Sequence, residues 1–266
     1  MKDDFGNRMK DYERHETGRK FIPLLPVYAR IDGRSFSAFT KGLNRPYDRR
    51  LANLMIETTR YLVQETNAVM GYTQSDEISL AWFSHSVDSQ IFFDGKIFKM
   101  TSVLAAMATA YFNKHLAEYL PEKSDNMPVF DCRVFQLPNC VETANAFLWR
   151  EQDATKNAIS MAARHYFPHN KLHGKSGKEM QEMLWKECNI NFNDYPAFFK
   201  RGTFLQRQLV YKELPPEILN KIPEEHRPTG PIERQIVVKI EMPRFSQVKN
   251  RVNVIFNGAN PEVDSD

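Results

Sequence analysis

A chain of 266 residues, 42% hydrophobic and carrying 19 Phe and 10 Tyr, is long enough for one sizeable core and a second packing layer, and should be a folded, soluble protein. Lys+Arg 36 against Asp+Glu 33 leaves a formal charge of only +3, so nucleic acid is permitted as a partner but not indicated by bulk charge, and any basic surface has to be local. Cys132, Cys140 and Cys188 are odd in number and form no C-x-x-C pair, which argues against a zinc knuckle and a disulfide framework and for a reducing cytoplasm. Met1 to Phe5 carries early acid and no apolar leader, and no uninterrupted apolar run approaches the length of a membrane span, so no membrane partner is expected.

In chain order, Asp4 to Lys20 is charged with thinly spaced apolar residues, Phe5, Met9 and Tyr12, and predicts a surface helix. Pro26 to Ile31 is a short apolar run ending in Asp32-Gly33: a buried strand that delivers Asp32 to the end of a sheet, where Gly33 lets the backbone come close to a ligand. A basic, irregular loop from Lys41 to Arg50 follows, marked by Gly42 and Pro46, with Asp48 placed to cap the next helix. Leu51, Leu54, Met55, Leu62 and Val69 give that helix one apolar face. Val69 to Thr73 enters a tight polar turn, and Ile78, Leu80 and Trp82 alternate with Ser79, Ala81 and Phe83 beyond it, which sets Asp76 at a hairpin tip. Ser84 to Phe93 reads as a surface connection, Lys96 to Leu120 as a second amphipathic helix ended by Pro121, and Val129 to Leu137 as a fourth strand stopped by Pro138.

This β-α-β-β-α-β order predicts an α+β fold whose first domain, residues 1–138, is the split-βαβ or ferredoxin-like arrangement, with the end of the first strand beside the central hairpin. Residues 139–266 read as a C-terminal helical and β-hairpin elaboration. Val141–Phe167 and Lys178–Cys188 are helical, and Thr203–Lys212 and Ile232–Met242 are strands separated by the Pro-rich stretch Leu214 to Pro231. Asn257 to Asp266 is polar and expected to fray.

Two carboxylates on neighbouring strand ends can share hard cations. Mg²⁺ is usually held by one or two carboxylates together with substrate phosphates, so Asp32 and Asp76, with the Gly33 carbonyl as a further ligand, suit a two-metal nucleoside triphosphate site. Glu77 is harder to place, because adjacent strand residues point to opposite faces. Expected nucleotide contacts are Arg30, Arg34, Lys41, Arg45 and Ser75 around the acids, and Lys96 and Lys99 at the start of the second helix. Lys175, in Gly174-Lys175-Ser176-Gly177, is a further phosphate candidate, although the P-loop spacing is missing. Asn189, Asn191 and Asn193 alternate, so on an extended segment they would face one way, toward a triphosphate or ribose; turn formation is the competing reading. His165, His169 and His173 repeat every four residues, but Pro168 interrupts the helix, and no zinc is assigned. Trp149, Phe198 and Phe199 are read as core rather than as base-stacking platforms.

The segments Arg30-Ile31-Asp32-Gly33-Arg34-Ser35-Phe36, Arg45-Pro46-Tyr47-Asp48, Gln74-Ser75-Asp76-Glu77-Ile78-Ser79, Phe130-Asp131-Cys132-Arg133-Val134 and Asn189-Ile190-Asn191-Phe192-Asn193 with Lys200-Arg201-Gly202-Thr203 resemble the tRNA-His guanylyltransferase family in order and spacing, from Met9 to Lys212. The resemblance implies a polymerase palm and a reverse-direction, 3′–5′ nucleotide-adding enzyme that activates a 5′-monophosphorylated tRNA end with ATP and attacks it with the 3′-hydroxyl of GTP or another nucleotide. It further implies two Mg²⁺ ions bridged by Asp32 and Asp76, a catalytic Glu77, tRNA contacts at Arg150, Asn157, Lys200 and Arg201, and a homotetramer. One departure matters: Thr155 stands where the eukaryotic enzymes carry the His of a His-Ile-Asn-Asn segment, and only Asn157 still fits. This places the chain nearer the bacterial and archaeal guanylyltransferase-like proteins, associated with template-dependent repair of truncated tRNA 5′ ends; dedicated guanylyl addition to tRNA-His is the alternative. A nucleotide cyclase lacks explanation for the downstream asparagines and Lys200-Arg201-Gly202, and an inactive RNA-binding module has no need of Asp32 and Asp76 together.

Overall fold

The computed structural model describes residues 3–264. Helix α1 (Asp4–Thr17) starts where the Asp3 carboxylate accepts the Gly6 N–H at 2.8 Å, and all its side chains are at least partly exposed. Strand β1 (Val27–Gly33) leads through the short helix α2 (Phe36–Phe39) to α3 (Arg49–Thr66), where the Asp48 carboxylate accepts the Arg50 N–H at 2.9 Å as the expected cap. Then come β2 (Met70–Gln74), β3 (Glu77–Trp82), α4 (Ile97–Tyr119) and β4 (Phe130–Gln136). The second half supplies α5 (Cys140–Tyr166), α6 (His169–Leu172), α7 (Gly177–Cys188), α8 (Ala197–Arg201), β5 (Thr203–Lys212), α9 (Pro216–Leu219), β6 (Ile232–Ile240) and α10 (Arg251–Phe256).

All six strands form one sheet in the order β4-β1-β3-β2-β5-β6, antiparallel at every junction. Side chains alternate across a strand, so β1 and β3 serve two layers. Val27, Ala29, Ile31, Ile78, Leu80 and Trp82 join one core with α3 and α4, while Tyr28 and Ala81 join Phe147 of α5 in another on the opposite face. Strand β5 pairs with β2 only from Thr203 to Gln206 and continues with β6 as a two-stranded ribbon. The Arg207 guanidinium fixes the root of that ribbon, donating to the carbonyls of Gln64 and Ala68, both at 3.1 Å, at the C-terminal end of α3, where the helix dipole favours a cation.

The terminal segment departs from the expected fraying. Asn250 Nδ2 donates to the Asn260 carbonyl at 2.9 Å, the Lys249 N–H to Glu262 at 2.9 Å, and the buried Gln206 Nε2 to Ala259 at 2.9 Å. Main-chain carbonyls of the segment thus hold it to the body whatever its side chains; Ser265 and Asp266 lie outside the described residues.

Candidate active site

Register brings the acids together. Asp32 lies across from Glu77 on β3 and from Asp131 on β4, and the Gly33 N–H donates to the Asp76 carbonyl at 3.1 Å, which ties the end of β1 to the hairpin tip. At that tip Ser75 is left-handed, with φ of 55°, and its hydroxyl donates to Asp76 Oδ1 at 2.9 Å. Burial pushes the Asp76 carboxyl above its ordinary pKa; the Ser75 hydroxyl opposes the shift and the charge of Asp32 adds to it. A cation relieves such repulsion, and carboxylate and carbonyl oxygens are the hard donors that Mg²⁺ takes. Among the described residues no group of three or more His, Cys, Asp or Glu forms a protein cage for a metal. The donor set therefore fits an ion whose coordination is completed by substrate phosphates and water.

Glu77 needs no unusual twist to reach this face, because its partner in register is Asp32. Its carboxylate is already engaged: Arg150 Nε and Nη2 donate to it at 2.5 and 2.9 Å, and Arg30 Nε lies 3.8 Å away. Arg150 also donates to Asp153 at 2.9 Å, and its side chain is only 13% exposed. In this chain Arg150 is thus a clamp on a buried carboxylate rather than the free tRNA contact expected, since an unpaired charge in that position is costly. Trp149 also departs from expectation. It is 46% exposed, and the Arg30 and Arg150 guanidinium carbons stand 5.7 and 4.5 Å from its ring centre, so it makes cation–π contacts with both at the rim of the site. Phe199 is buried, as read from the sequence, in the core between α5, α7 and α8.

Gly33 has a packing reason beside ligand approach. A Cβ there would sit 2.3 Å from Cδ2 of Phe36, so the Phe36 ring fills the space. Gly33→Ala is expected to lose about 1–3 kcal/mol of stability by overpacking, with part recovered in the double variant with Phe36→Leu; chemical denaturation checks both.

Arg45 and Ser75 line one pocket with Asn44, Tyr47, Gln74 and Phe198, directly beside the hairpin tip. Arg34 and Lys41 are exposed at the same end of the sheet, Arg34 next to Gly33 and Lys41 on the loop before Arg45. Lys96 and Lys99 are not part of this assembly within one chain. They line a pocket with Thr66, Asn67 and Phe93, and the Ile97 N–H donates to Arg19, ahead of β1. A helix that follows β3 begins at the end of β3 remote from its hairpin, here roughly 17 Å from Asp32 at strand rise. Lys175 is also a correction: its ammonium donates to Glu179 at 3.2 Å beside a capping box between Ser176 and Glu179, so the Gly-Lys-Ser-Gly run is a helix start. Asn189 is the left-handed C-cap of α7 and the Asn191 side chain accepts the Asn193 N–H at 3.0 Å, so the asparagines shape turns instead of presenting one extended face.

Two family models match the chain: tRNAHis guanylyltransferase over residues 6–138, and the Thg1 C terminal domain over residues 145–253. The chain belongs to the tRNAHis guanylyltransferase (Thg1) family. A solved bacterial tRNA(HIS) guanylyltransferase (Thg1)-like protein in complex with ATP is 43% identical with a TM-score of 0.72, covering 76% of this chain and 88% of its own. A second such structure, in complex with GTP, is 35% identical with the same TM-score of 0.72, covering 92% and 94%. The tRNA(His) guanylyltransferase of Saccharomyces cerevisiae is 27% identical over 217 residues, which are 75% of this chain and 89% of the yeast protein. As a Thg1-family member the chain is a nucleotidyltransferase whose chemistry is tRNA guanylyltransferase-like nucleotidyl transfer. No helix of the described residues is long and apolar enough to cross a membrane.

The part of this Thg1-family chain matched by the C-terminal model holds an acid that the sequence reading passed over. Glu151 is 4% exposed, accepts the Phe245 N–H on both oxygens at 3.1 and 3.0 Å, and lies 3.8 Å from Arg201 Nε. The signal was present: Phe147, Glu151, Ala154 and Ala158 share one helical face, so an acid interrupts an apolar stripe. Arg201 and Lys200 end α8 nearby, with Tyr72 Oη donating to the Arg201 carbonyl at 2.8 Å, whereas Asn157 is exposed on α5. Burial pushes the Glu151 carboxyl up to about 7, against the Phe245 N–H and the charges of Arg201 and Arg244. A carboxyl whose folded pKa is raised adds stability below its unfolded value of about 4.5, and that contribution is lost as pH rises through about 7. Glu151→Gln is therefore expected to flatten the pH dependence of urea denaturation across this window, by at most about 3 kcal/mol.

Proposed function

We propose that this protein adds nucleotides to the 5′ end of tRNA in the 3′–5′ direction, as a template-dependent repair enzyme acting on truncated ends. The observation that carries the reading is the Gly33–Asp76 hydrogen bond, which gathers Asp32 and Asp76 at one strand end beside the pocket of Arg45 and Ser75. The strand order β4-β1-β3-β2 supports a ferredoxin-like polymerase palm for the first half. Bacterial relatives bound to ATP and GTP support ATP as activator and GTP or another nucleoside triphosphate as the added unit. Activation joins a 5′-phosphate oxygen of tRNA to the α-phosphorus of ATP, with pyrophosphate leaving. Transfer then joins the nucleotide 3′-oxygen to the tRNA 5′-phosphorus, with AMP leaving.

Asp32 and Asp76, with the Gly33 carbonyl, would hold two Mg²⁺ ions. Bound there, Mg²⁺ supplies charge neutralisation on the triphosphate and a lowered pKa for the attacking hydroxyl. The protein's own part is positional. Ser75 orients the Asp76 carboxylate, Arg150 and Arg30 fix Glu77 on the Asp32 face, and Arg45 offers a phosphate contact in the pocket. Thr155, in place of a histidine, favours repair over dedicated guanylyl addition to tRNA-His. The family resemblance supports a homotetramer acting in the cytoplasm.

The test is transfer of labelled GTP, with ATP and Mg²⁺, onto tRNA lacking its 5′ nucleotide, with C or A as the opposing base. Incorporation opposite C alone supports templated repair. Incorporation opposite both returns the enzyme to untemplated addition to tRNA-His, and none on either sinks the polymerase reading.

A further inference from the structure

A cleft opens next to the candidate active site, between α5, α7, α8 and the segment that follows β6. Lys156, Lys200, Arg201 and Arg244 line it, together with Asn193 and the buried Glu151. Four cations thus share the cleft with one carboxylate. The Arg201 guanidinium is 3.8 Å from Glu151, Lys156 Nζ is 3.4 Å from Asp153 with its side chain 75% exposed, and Lys200 donates to the Asn193 carbonyl. Arg244 is exposed and makes no ion pair among the described residues. Burial holds the Lys200 ammonium below its ordinary pKa; the charges of Arg201 and Arg244 press in the same direction and Asp194 opposes them. A repulsive group of cations on three separate elements is stabilised when an anion enters.

Position favours one anion over others. Glu151 directly follows Arg150, the residue that holds Glu77, and Lys156 stands six residues beyond Arg150, about 9 Å along the helix axis. Positive charge on α5, α8 and the segment after β6 thus lies in the cleft next along α5 from Arg150, where an RNA strand carries a phosphate at every residue beyond its 5′ end.

We propose that this cleft binds the phosphodiester backbone of an RNA strand whose 5′ end lies at Asp32 and Asp76, with Lys156 and Arg244 as phosphate contacts that set the strand's register. This rests on the 5′-end transfer proposed above and names where its RNA substrate lies. Phosphate contacts of this kind position a strand without reading its bases.

Fluorescence anisotropy with a 3′-labelled tRNA lacking its 5′ nucleotide, run with the full chain across a salt series, tests it. Lys156→Glu and Arg244→Glu are each expected to weaken tRNA binding about tenfold and to lower the slope of log affinity against log salt by about one. Lys10→Glu on α1 carries the same charge change away from the cleft and should leave both unchanged. Binding of GTP, followed by calorimetry, should be unchanged in all three. If tRNA affinity and salt slope stay at wild-type values in both cleft variants, the inference is overturned; if GTP affinity falls in parallel with tRNA affinity, the cleft belongs to the nucleotide instead. A wild-type protein that binds tRNA through the cleft yet transfers no nucleotide would sink the repair reading alone.

Discussion

Asp76→Asn is expected to reduce nucleotide transfer at least about 10³-fold while leaving the fold as stable as the wild type, or more so, in the absence of divalent metal. The two halves of this expectation have one cause. Asp76 sits half-buried at the hairpin tip, and its carboxyl is pushed up by desolvation there and by the neighbouring Asp32 charge. With no cation present, its ionised form opposes folding: the stability contributed by the protonated form is present below the unfolded pKa and is lost as pH rises through the folded one. An amide removes the charge and with it that pH dependence. It also removes a hard anionic donor, which the Ser75 hydroxyl cannot replace. Single-turnover transfer and thermal melts with and without Mg²⁺ check both halves. Mg²⁺ should raise the wild-type melting temperature by binding the folded state and should do so much less in Asp76→Asn. Transfer by the variant within tenfold of wild type would remove Asp76 from the chemistry.

The pairing of Asp32 with Asp76 was legible because it depends on topology. Strand alternation around the hairpin and the β-α-β-β-α-β order place the end of the first strand beside the central turn, and the register bears out that adjacency. Glu77 was ambiguous only while its partner strand was unknown, because facing in a sheet is decided by register across strands as well as by alternation along one. Lys96 and Lys99 lie away from the site within one chain for a related reason: lysines at a helix start say nothing about which end of the sheet the helix begins from. Lys175 was read as a ligand from its Gly-Lys-Ser-Gly setting and Asn189 and Asn191 from their alternation, with turn formation as the competing reading, and each satisfies local backbone or side-chain demands at a helix end or turn. Glu151 and Arg244 are far apart in sequence and meet only because α5 and the segment after β6 enclose the same cleft. Such a pairing is a product of tertiary packing, and only the acid on the apolar stripe of α5 hinted at it.

Arg150→Ala is expected to cost about 3–5 kcal/mol of folding stability, because it leaves the Glu77 carboxylate buried without its main partner. Glu77 is 15% exposed at its side chain and receives two hydrogen bonds from Arg150; the remaining cation, Arg30, stands 3.8 Å away and is shared with the Trp149 ring. Burial already holds the Glu77 carboxyl above its ordinary pKa, with Arg150 pulling it back down. Loss of the clamp raises that folded pKa further. The protonated carboxyl then contributes stability below the unfolded pKa, and that contribution disappears as pH rises through the folded value, so the penalty in Arg150→Ala should deepen from acid toward neutral pH. Urea denaturation at several pH values measures this trend. The double variant Arg150→Ala with Glu77→Gln should recover part of the stability, since no buried charge is left unpaired, and the double-mutant cycle gives the coupling directly. If Arg150→Ala instead weakens tRNA binding with stability unchanged and no coupling to Glu77, the guanidinium is a substrate contact and the clamp is wrong. If the coupling appears, the conformation of the Ser75-Asp76 tip is held from behind by a charge pair on the α5 face, and transfer should fall through kcat more than through KM, because what is lost is the placement of Asp76 relative to Asp32.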